Sequence, residues 1–221
     1  MMPRVPQHRR PRPLCWALLT LWACSDPGAN VPAAALGEPT AQAANPAPSS
    51  RKDRLERLAI TPDNARIEWA AAKLHVKEEG AFARFDGEVR LDPTQLEGSE
   101  VEVRIQTASL QAEPDRLADH LRDVDFLDAK RFPEARFRSL SIRPSTDVKD
   151  ATHRIGGELT LHGQTHRIAF PAHIALDSEL RVRAEFSINR IDFEIAPKRP
   201  DHLIRHRVAI RLTLDLPRPE R

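Results

Sequence analysis

The sequence predicts an all-β fold: an eight-stranded antiparallel β-barrel with one short capping helix, preceded by a signal peptide and a disordered linker. Three observations carry this expectation. From Ile60 onward, apolar and polar residues alternate with a period of two in segment after segment, which places one set of side chains on each face of a sheet. Seven or eight such segments follow one another at short spacing, the signature of an antiparallel sandwich or barrel. Their polar faces are charged strand after strand. Only one side of the sheet is therefore buried, and closing it removes edges that would otherwise be exposed. Eight strands enclose a space just wide enough to be filled by side chains or to hold one small ligand.

The amino-terminal residues come first. Residues 1–23 hold Arg4, Arg9, Arg10 and Arg12 and no acid, followed by an apolar run from Leu14 to Ala23. That run is far below the roughly 20 residues that span a bilayer, so it reads as the core of a signal peptide. Leu21-Trp22-Ala23-Cys24 looks like a bacterial lipobox, with lipidation at Cys24 and the acyl chains supplying membrane affinity; ordinary secretion with cleavage after Ala29 or Ala35 is the alternative. Without the leader the formal net charge passes from +2 to −2, which leaves no electrostatic footprint for nucleic acid. Both cysteines, Cys15 and Cys24, lie at this end. The folded part thus has no disulfide, cysteine metal site or cysteine nucleophile. Residues 24–55 form an Ala/Pro-rich linker with too little apolar surface to offset chain entropy, and residues 60–216 form the barrel domain.

Within the barrel, Ile67 and Trp69 begin the first strand, and Phe82, Phe85 and Val89 mark the second. Val101, Val103 and Ile105 alternate with Glu102, Arg104 and Gln106 in a third, and Ala135 and Phe137 continue the pattern. Ile155 to Leu176 reads as a hairpin with Gly163 and Gln164 in its turn. Leu180 to Ile188 and Val208 to Leu216 supply the last two strands. Pro171, inside a good strand, points to an edge or a bulge. Between the strands, Pro114 suits a first helical turn, and Leu117, Leu121 and Val124 recur at helical spacing. Small inward residues (Ala135, Gly157, Ala172, Ala184) lean toward a cavity rather than a filled interior.

Several patterns invite chemistry and fail its requirements. His162/His166 and His202/His206 have metal-ligand spacing, but the first pair straddles a hairpin turn and neither has an acidic third ligand, so no metal site is expected. Asp123, Asp125 and Glu134 imitate a calcium loop with Leu127 and Asp128 where an oxygen ligand and Gly are needed. Ser187, Asp192 and His206 suggest a triad, yet Ser187 lies in a plain strand pattern without a nucleophile elbow. No catalytic residue and no cofactor are expected.

An ordered set of motifs runs through the folded part: Gly80 to Gly87 (Gly-Ala-Phe-Ala-Arg-Phe-Asp-Gly), His120-Leu121 with Asp125 to Asp128, Phe132 to Phe137, Gly157 to Gly163, Phe186 to Arg190 with Asp192-Phe193, and Pro200-Asp201 with Leu203 to Arg205. In this order they resemble the YceI-like family of bacterial lipid-binding proteins. The resemblance implies a lipocalin-like barrel outside the cytoplasm, with an apolar tunnel for a long isoprenoid, quinone-type or acyl chain. The chain departs from the family in lacking tyrosine and in placing Glu194 where Gly is common. The candidate ligand contacts, along the tunnel or at its mouth, are Phe82, Phe85, His120, Phe126, Phe137, Leu161, Phe170, Phe186, Arg190 and Phe193.

The expected function is an extracytoplasmic lipid-binding protein, not an enzyme. Its partners are a long-chain isoprenoid or acyl lipid and the membrane reached through an N-terminal lipid anchor. With Ser25 after Cys24, the expected location is the periplasmic face of the outer membrane. The alternative is a structural or stress-related envelope protein with a filled barrel that acts through its surface. An enzyme acting on a lipid would need a polar group in the tunnel, with His120 or His162 the first to consider.

Overall fold

Alternation of apolar and charged residues draws the chain into one curled antiparallel sheet. The structure, a computed structural model, describes residues 31–36, 55–74, 76–196 and 203–219. In chain order its elements are β1 (Ala35–Leu36), β2 (Glu56–Ile60), β3 (Ala65–Lys73), β4 (Val76–Phe82), β5 (Phe85–Leu91), β6 (Glu100–Gln106), β7 (Leu110–Ala112), α1 (Asp115–Arg122), β8 (Glu134–Pro144), β9 (His153–Leu161), β10 (Gln164–Leu176), β11 (Glu179–Asn189) and β12 (Arg207–Pro217). The leader with Cys24, most of the expected linker, and residues 197–202 lie outside the described residues.

The sheet has twelve strands rather than the expected eight, because three long strands are bent into two segments each and the short β1 pairs with β10. β2 and β3 both run antiparallel to the β4–β5 stretch, separated by a turn in which Thr61 N–H donates to Asn64 Oδ1 at 2.9 Å. β4 and β5 part at Ala83–Arg84, and β6 and β7 part at Thr107–Ser109. These two bends lie against each other and are fastened by Ser109, whose Oγ accepts from Arg84 N–H at 3.0 Å and donates toward Gln106 O at 2.7 Å. Followed through the bends, eight long strands pair in sequence, and β12 pairs with β3 from Ala65↔Leu214 to Ala70↔Ala209. The ring is closed. A bidentate pair from Arg218 to Glu56, at 2.8 and 2.9 Å, draws the start of β2 toward the end of β12.

The inward set is the one the alternation marks: Ile155, Gly157, Leu159 and Leu161 on β9, and Ile168, Phe170, Ala172, Ile174 and Leu176 on β10. Outward residues carry cross-strand ion pairs such as Arg136–Glu102 (2.7 Å) and Arg183–Asp215 (2.6 Å). Such exposed pairs are each worth about 0–1 kcal/mol and favour solubility more than stability. The hairpin turn is His162–Gly163, with φ of 51° and 77°, so Gln164 already belongs to β10. Two consecutive positive φ values are what a two-residue turn matching strand twist demands. β8 carries a bulge between Ser139 and Ser141, which leaves Leu140 51% exposed.

β10 is the strand where the wall divides. Its first part, Gln164–Ala172, pairs with β9, and its last part, His173–Leu176, pairs with β11. Ahead of His173, β10 and β11 do not pair with each other. A strap from the amino-terminal side fills the opening. Ala35 and Leu36 pair with Ala169 and Ile168, and the strap meets β11 through Ala34 N–H to Ser187 O (2.7 Å) and Ser187 N–H to Pro32 O (2.8 Å). Pro171 stands between Ala169, which pairs with the strap, and His173, which pairs with β11. A residue without an N–H is tolerated where the ladder is interrupted.

α1 lies across the barrel end at which β8 begins and β9 finishes. Ala118 is its buried residue, and Leu117 and Leu121 pack beside Trp69, Leu110 and Ala112. The helix stops at Arg122, whose Nε donates to Ala118 O at 3.0 Å. Val124, expected to continue the apolar face, is therefore past the helix and 64% exposed.

Candidate ligand-binding site

Inward residues of a filled barrel should all be sealed from solvent; here many are not. Val101, Val103, Ile105, Leu159, Leu161, Val182, Val208, Ile210 and Leu212 are only half-buried although they point to the interior. Each of them lines a cavity of about 270 Å³ inside the ring. The lining reaches from Leu121, Phe126, Leu127, Ile195 and Ile204 at the helix end to Leu91, Leu96, Ile142, Ile174 and Leu180 at the other. With 11 residues in each of the ring strands β8, β11 and β12, about 3.3 Å per residue and a tilt near 40° give the barrel a height of roughly 25 Å.

The wall is almost wholly aliphatic and aromatic. Among the described lining residues only Trp69, Ser99 and Arg190 carry polar side-chain atoms. Ser99 Oγ accepts from Asp92 N–H at 2.9 Å. Arg190, 3% exposed, donates from Nη1 to Ile195 O at 2.6 Å, from Nη2 to Ile204 O at 3.1 Å and from Nε to Arg205 O at 3.2 Å. A buried guanidinium needs such acceptors, and here they tie the segments flanking residues 197–202 to the end of β11. Trp69 Nε1 is buried without a hydrogen-bond partner among the described residues.

Aromatic rings narrow the cavity. Phe170 stacks on Phe186 with centroids 4.2 Å apart, and Phe137 lies 5.6 Å from Phe170 at 53°. Gly157 makes room for this cluster: a Cβ there would stand 2.5 Å from Phe137 Cζ. The small inward residue thus marks a place taken up by a neighbouring ring rather than empty space.

Of the residues expected to meet a ligand, Phe82, Phe126, Phe137, Leu161, Phe170, Phe186 and Arg190 share this lining. Three lie elsewhere. Phe85 is buried at the head of β5 and Phe193 is 1% exposed in a short 3-10 turn; each fills packing space beside the cavity. His120 is exposed on α1 and sets its ring edge against Phe126 at 4.9 Å, because the helix turns Leu117, Ala118 and Leu121 inward instead. His162 sits in the turn, with Nδ1 3.1 Å from Phe193 O and its ring against Phe132. His166 packs edge-on against Phe193 at 5.1 Å, and His202 lies outside the described residues. Ser187 faces the strap, Asp192 accepts from Asn189 Nδ2 at 2.8 Å, and His206 gives its carbonyl to Arg190 N–H. No nucleophile–base contact is formed among them. His153, away from the cavity lining, is held below the usual histidine range, chiefly by burial.

Sequence reasoning passed over Trp69 as a site residue, although its β3 position and inward phase mark it. The aliphatic majority of the wall could be found only by knowing that the interior is open. Comparison with known proteins then places the whole arrangement: the YceI-like domain matches residues 58–216.

The chain belongs to the YceI-like family. UPF0312 proteins of Pseudomonas putida and Pseudomonas fluorescens are 34% identical over 110 residues and 35% identical over 123. These matches cover 49% and 52% of this chain and 56% and 62% of those proteins, so the chain spans about half the length of the relatives it matches. Among solved structures, BcnA of Burkholderia cenocepacia superposes with a TM-score of 0.62 at 23% identity, covering 68% of this chain and 95% of that one. A polyisoprenoid-binding domain from Saccharophagus degradans, implicated in plant cell wall breakdown, gives 0.55 at 16% identity, covering 75% of this chain and 99% of that one. At these identities the likeness establishes the YceI-like fold alone.

Proposed function

We propose that this YceI-like barrel is a lipid-binding protein that holds one long, thin apolar chain, of the isoprenoid or acyl class, along its axis and carries out no chemistry on it. The observation that carries this reading is the continuous apolar lining from one barrel end to the other, in which only Trp69, Ser99 and Arg190 among the described residues carry polar side-chain atoms. Ser99 and Arg190 are engaged with backbone groups. His162 is turned to a backbone carbonyl and His120 lies outside the lining, which supports binding rather than catalysis. The polyisoprenoid-binding neighbour supports the ligand class. A cavity of about 270 Å³ lies at the lower edge of small-molecule sites, so the ligand is slender and the Phe137–Phe170–Phe186 cluster shifts to admit it. Burial of each CH₂ contributes roughly 0.8 kcal/mol, enough for a long chain to survive purification.

The leader and Cys24 motif support an extracytoplasmic place, lipid-anchored at the outer membrane. Native mass spectrometry and organic extraction of the protein purified from bacterial envelopes test the binding reading. One apolar ligand per chain is expected, and Val103→Trp, which puts an indole into the cavity, should lower its occupancy at least fivefold while the far-ultraviolet circular dichroism is kept. An extract without an apolar ligand, or equal occupancy in Val103→Trp, overturns it in favour of a barrel that acts through its surface.

A further inference from the structure

The wall of the ring is fastened unevenly. β11 pairs with β12 from Glu179↔Pro217 to Asn189↔Arg207, and β9 pairs with β10 from Leu161↔Gln164 to His153↔Ala172. Between β10 and β11 the ladder stops at His173↔Arg183, and among the described residues the strap alone fills the rest of that seam. It pairs with β10 at Ala35↔Ala169 and Leu36↔Ile168, and two backbone hydrogen bonds join it to Ser187. Its side chains add little grip: Ala33 and Ala35 are exposed, and Ala34 is half-buried against the core. The cost of opening a segment locally follows its buried apolar contacts and protected hydrogen bonds, so the strap is the part of the wall that leaves first. The helix end is bound more firmly. There α1 lays Leu121 over the cavity, and buried Arg190 holds the carbonyls of Ile195, Ile204 and Arg205. Hydrogen bonds from a charged donor are the stronger kind.

What lies behind the strap decides its role. The inward side chains that border the seam, Ile168 and Phe170 on β10 and Phe186 and Ile188 on β11, all line the cavity. Phe170 and Phe186 stack on each other across the seam with centroids 4.2 Å apart. We propose that the strap is the gate of a lateral portal, and that the apolar chain enters and leaves the barrel side-on between β10 and β11 when the strap lifts. The proposal rests on the cavity being a lipid site. Neighbouring strands lie about 4.8 Å apart, so lifting one leaves roughly 10 Å between the flanking backbones. That is room for one hydrocarbon chain about 4 Å thick, once the two rings part. Entry at the helix end would instead break the hold of Arg190 or displace α1. A seam along the wall also takes in a long chain at any point of its length, whereas an end opening must thread it.

The test locks the strap without touching the cavity. Ala35 and Ala169 stand opposite each other, and neither belongs to the lining. Antiparallel partners lie about 4.5–5.5 Å apart at Cα, within reach of a disulfide. The full-length chain with Cys15→Ser and Cys24→Ser carries Ala35→Cys and Ala169→Cys, is loaded with tritiated geranylgeraniol, and is then oxidised. Transfer of the label to phosphatidylcholine vesicles is followed with and without reductant. The oxidised protein should release its ligand at least about tenfold more slowly than the reduced one, because exchange cannot outrun opening. Reduction should restore the rate, with the amount of ligand held per chain the same in both states. Equal rates overturn the gate and leave the lipid site standing; failure of the chain to take up geranylgeraniol at all overturns the lipid site itself. Should the disulfide not form, Ala34→Pro decides. It removes the N–H given to Ser187 O and should speed transfer at least about threefold, and an unchanged rate overturns the gate.

Discussion

Glu194 shows how one residue departs from what its backbone asks for. It caps the 3-10 turn Arg190–Phe193 with φ of 56° and ψ of 23°, and its N–H donates to Ile191 O at 3.0 Å. That left-handed conformation costs a residue with a Cβ about 1–2 kcal/mol, which is why glycine is usual at such caps. Replacing it by Gly relieves the strain but enlarges the freedom of the unfolded chain by about 0.4–1 kcal/mol. Glu194→Gly is therefore expected to stabilise the protein by about 0.5–1 kcal/mol, read as a higher midpoint in urea; a lower midpoint would show that the carboxylate holds the turn. The sequence already singled out Glu194 as standing where related chains have Gly, whereas its backbone angle came from the fold. The turn residues of the central hairpin were legible only in part. Gly163 is a plain turn signal, but the left-handed His162 is visible once the register of β9 and β10 is known.

At the scale of elements, the strap is the feature that composition concealed. Val31 to Leu36 (Val-Pro-Ala-Ala-Ala-Leu) reads as part of a linker because small residues bury little surface. Those same small side chains let it lie between β10 and β11, where Ala34 packs against the core. Two paired residues and a pair of backbone hydrogen bonds to Ser187 hold it, so it belongs to the low-stability end of the fold. Ala34→Asp places a charge against apolar side chains and should release the strap while the barrel stays folded. Hydrogen exchange measures this directly: the Ser187 amide, which donates to Pro32 O, should exchange at least about tenfold faster, with the β9–β10 ladder unchanged. Unchanged exchange at Ser187 would mean that the strap tolerates the charge. The bends at Ala83–Arg84 and Thr107–Ser109 escaped the alternation for a related reason. Phe82 and Phe85 share an apolar phase that a straight strand would break, and the bend restores it by starting β5 on Phe85.

For the molecule as a whole, a closed ring around an unfilled core ties stability to ligand. A chain that binds the native barrel and not the unfolded protein adds RT ln(1 + [L]/Kd), about 2.7 kcal/mol when free ligand stands at a hundred times Kd. Removing lipid by organic extraction should lower the melting temperature, and returning a long-chain isoprenoid should restore it. A stripped protein as stable as the loaded one would show the cavity to be mere packing space. What the sequence determined unaided was the all-β class, the eight long strands and which residues face inward, since the side-chain period of a strand is a local property. What the tertiary structure alone decided was where the strands bend, that the strap completes the wall, which inward residues face open space, and that Ser99 and Arg190 are engaged while the indole of Trp69 is not. Those outcomes depend on how groups distant in the chain meet once the ring has closed, and no local pattern records that meeting.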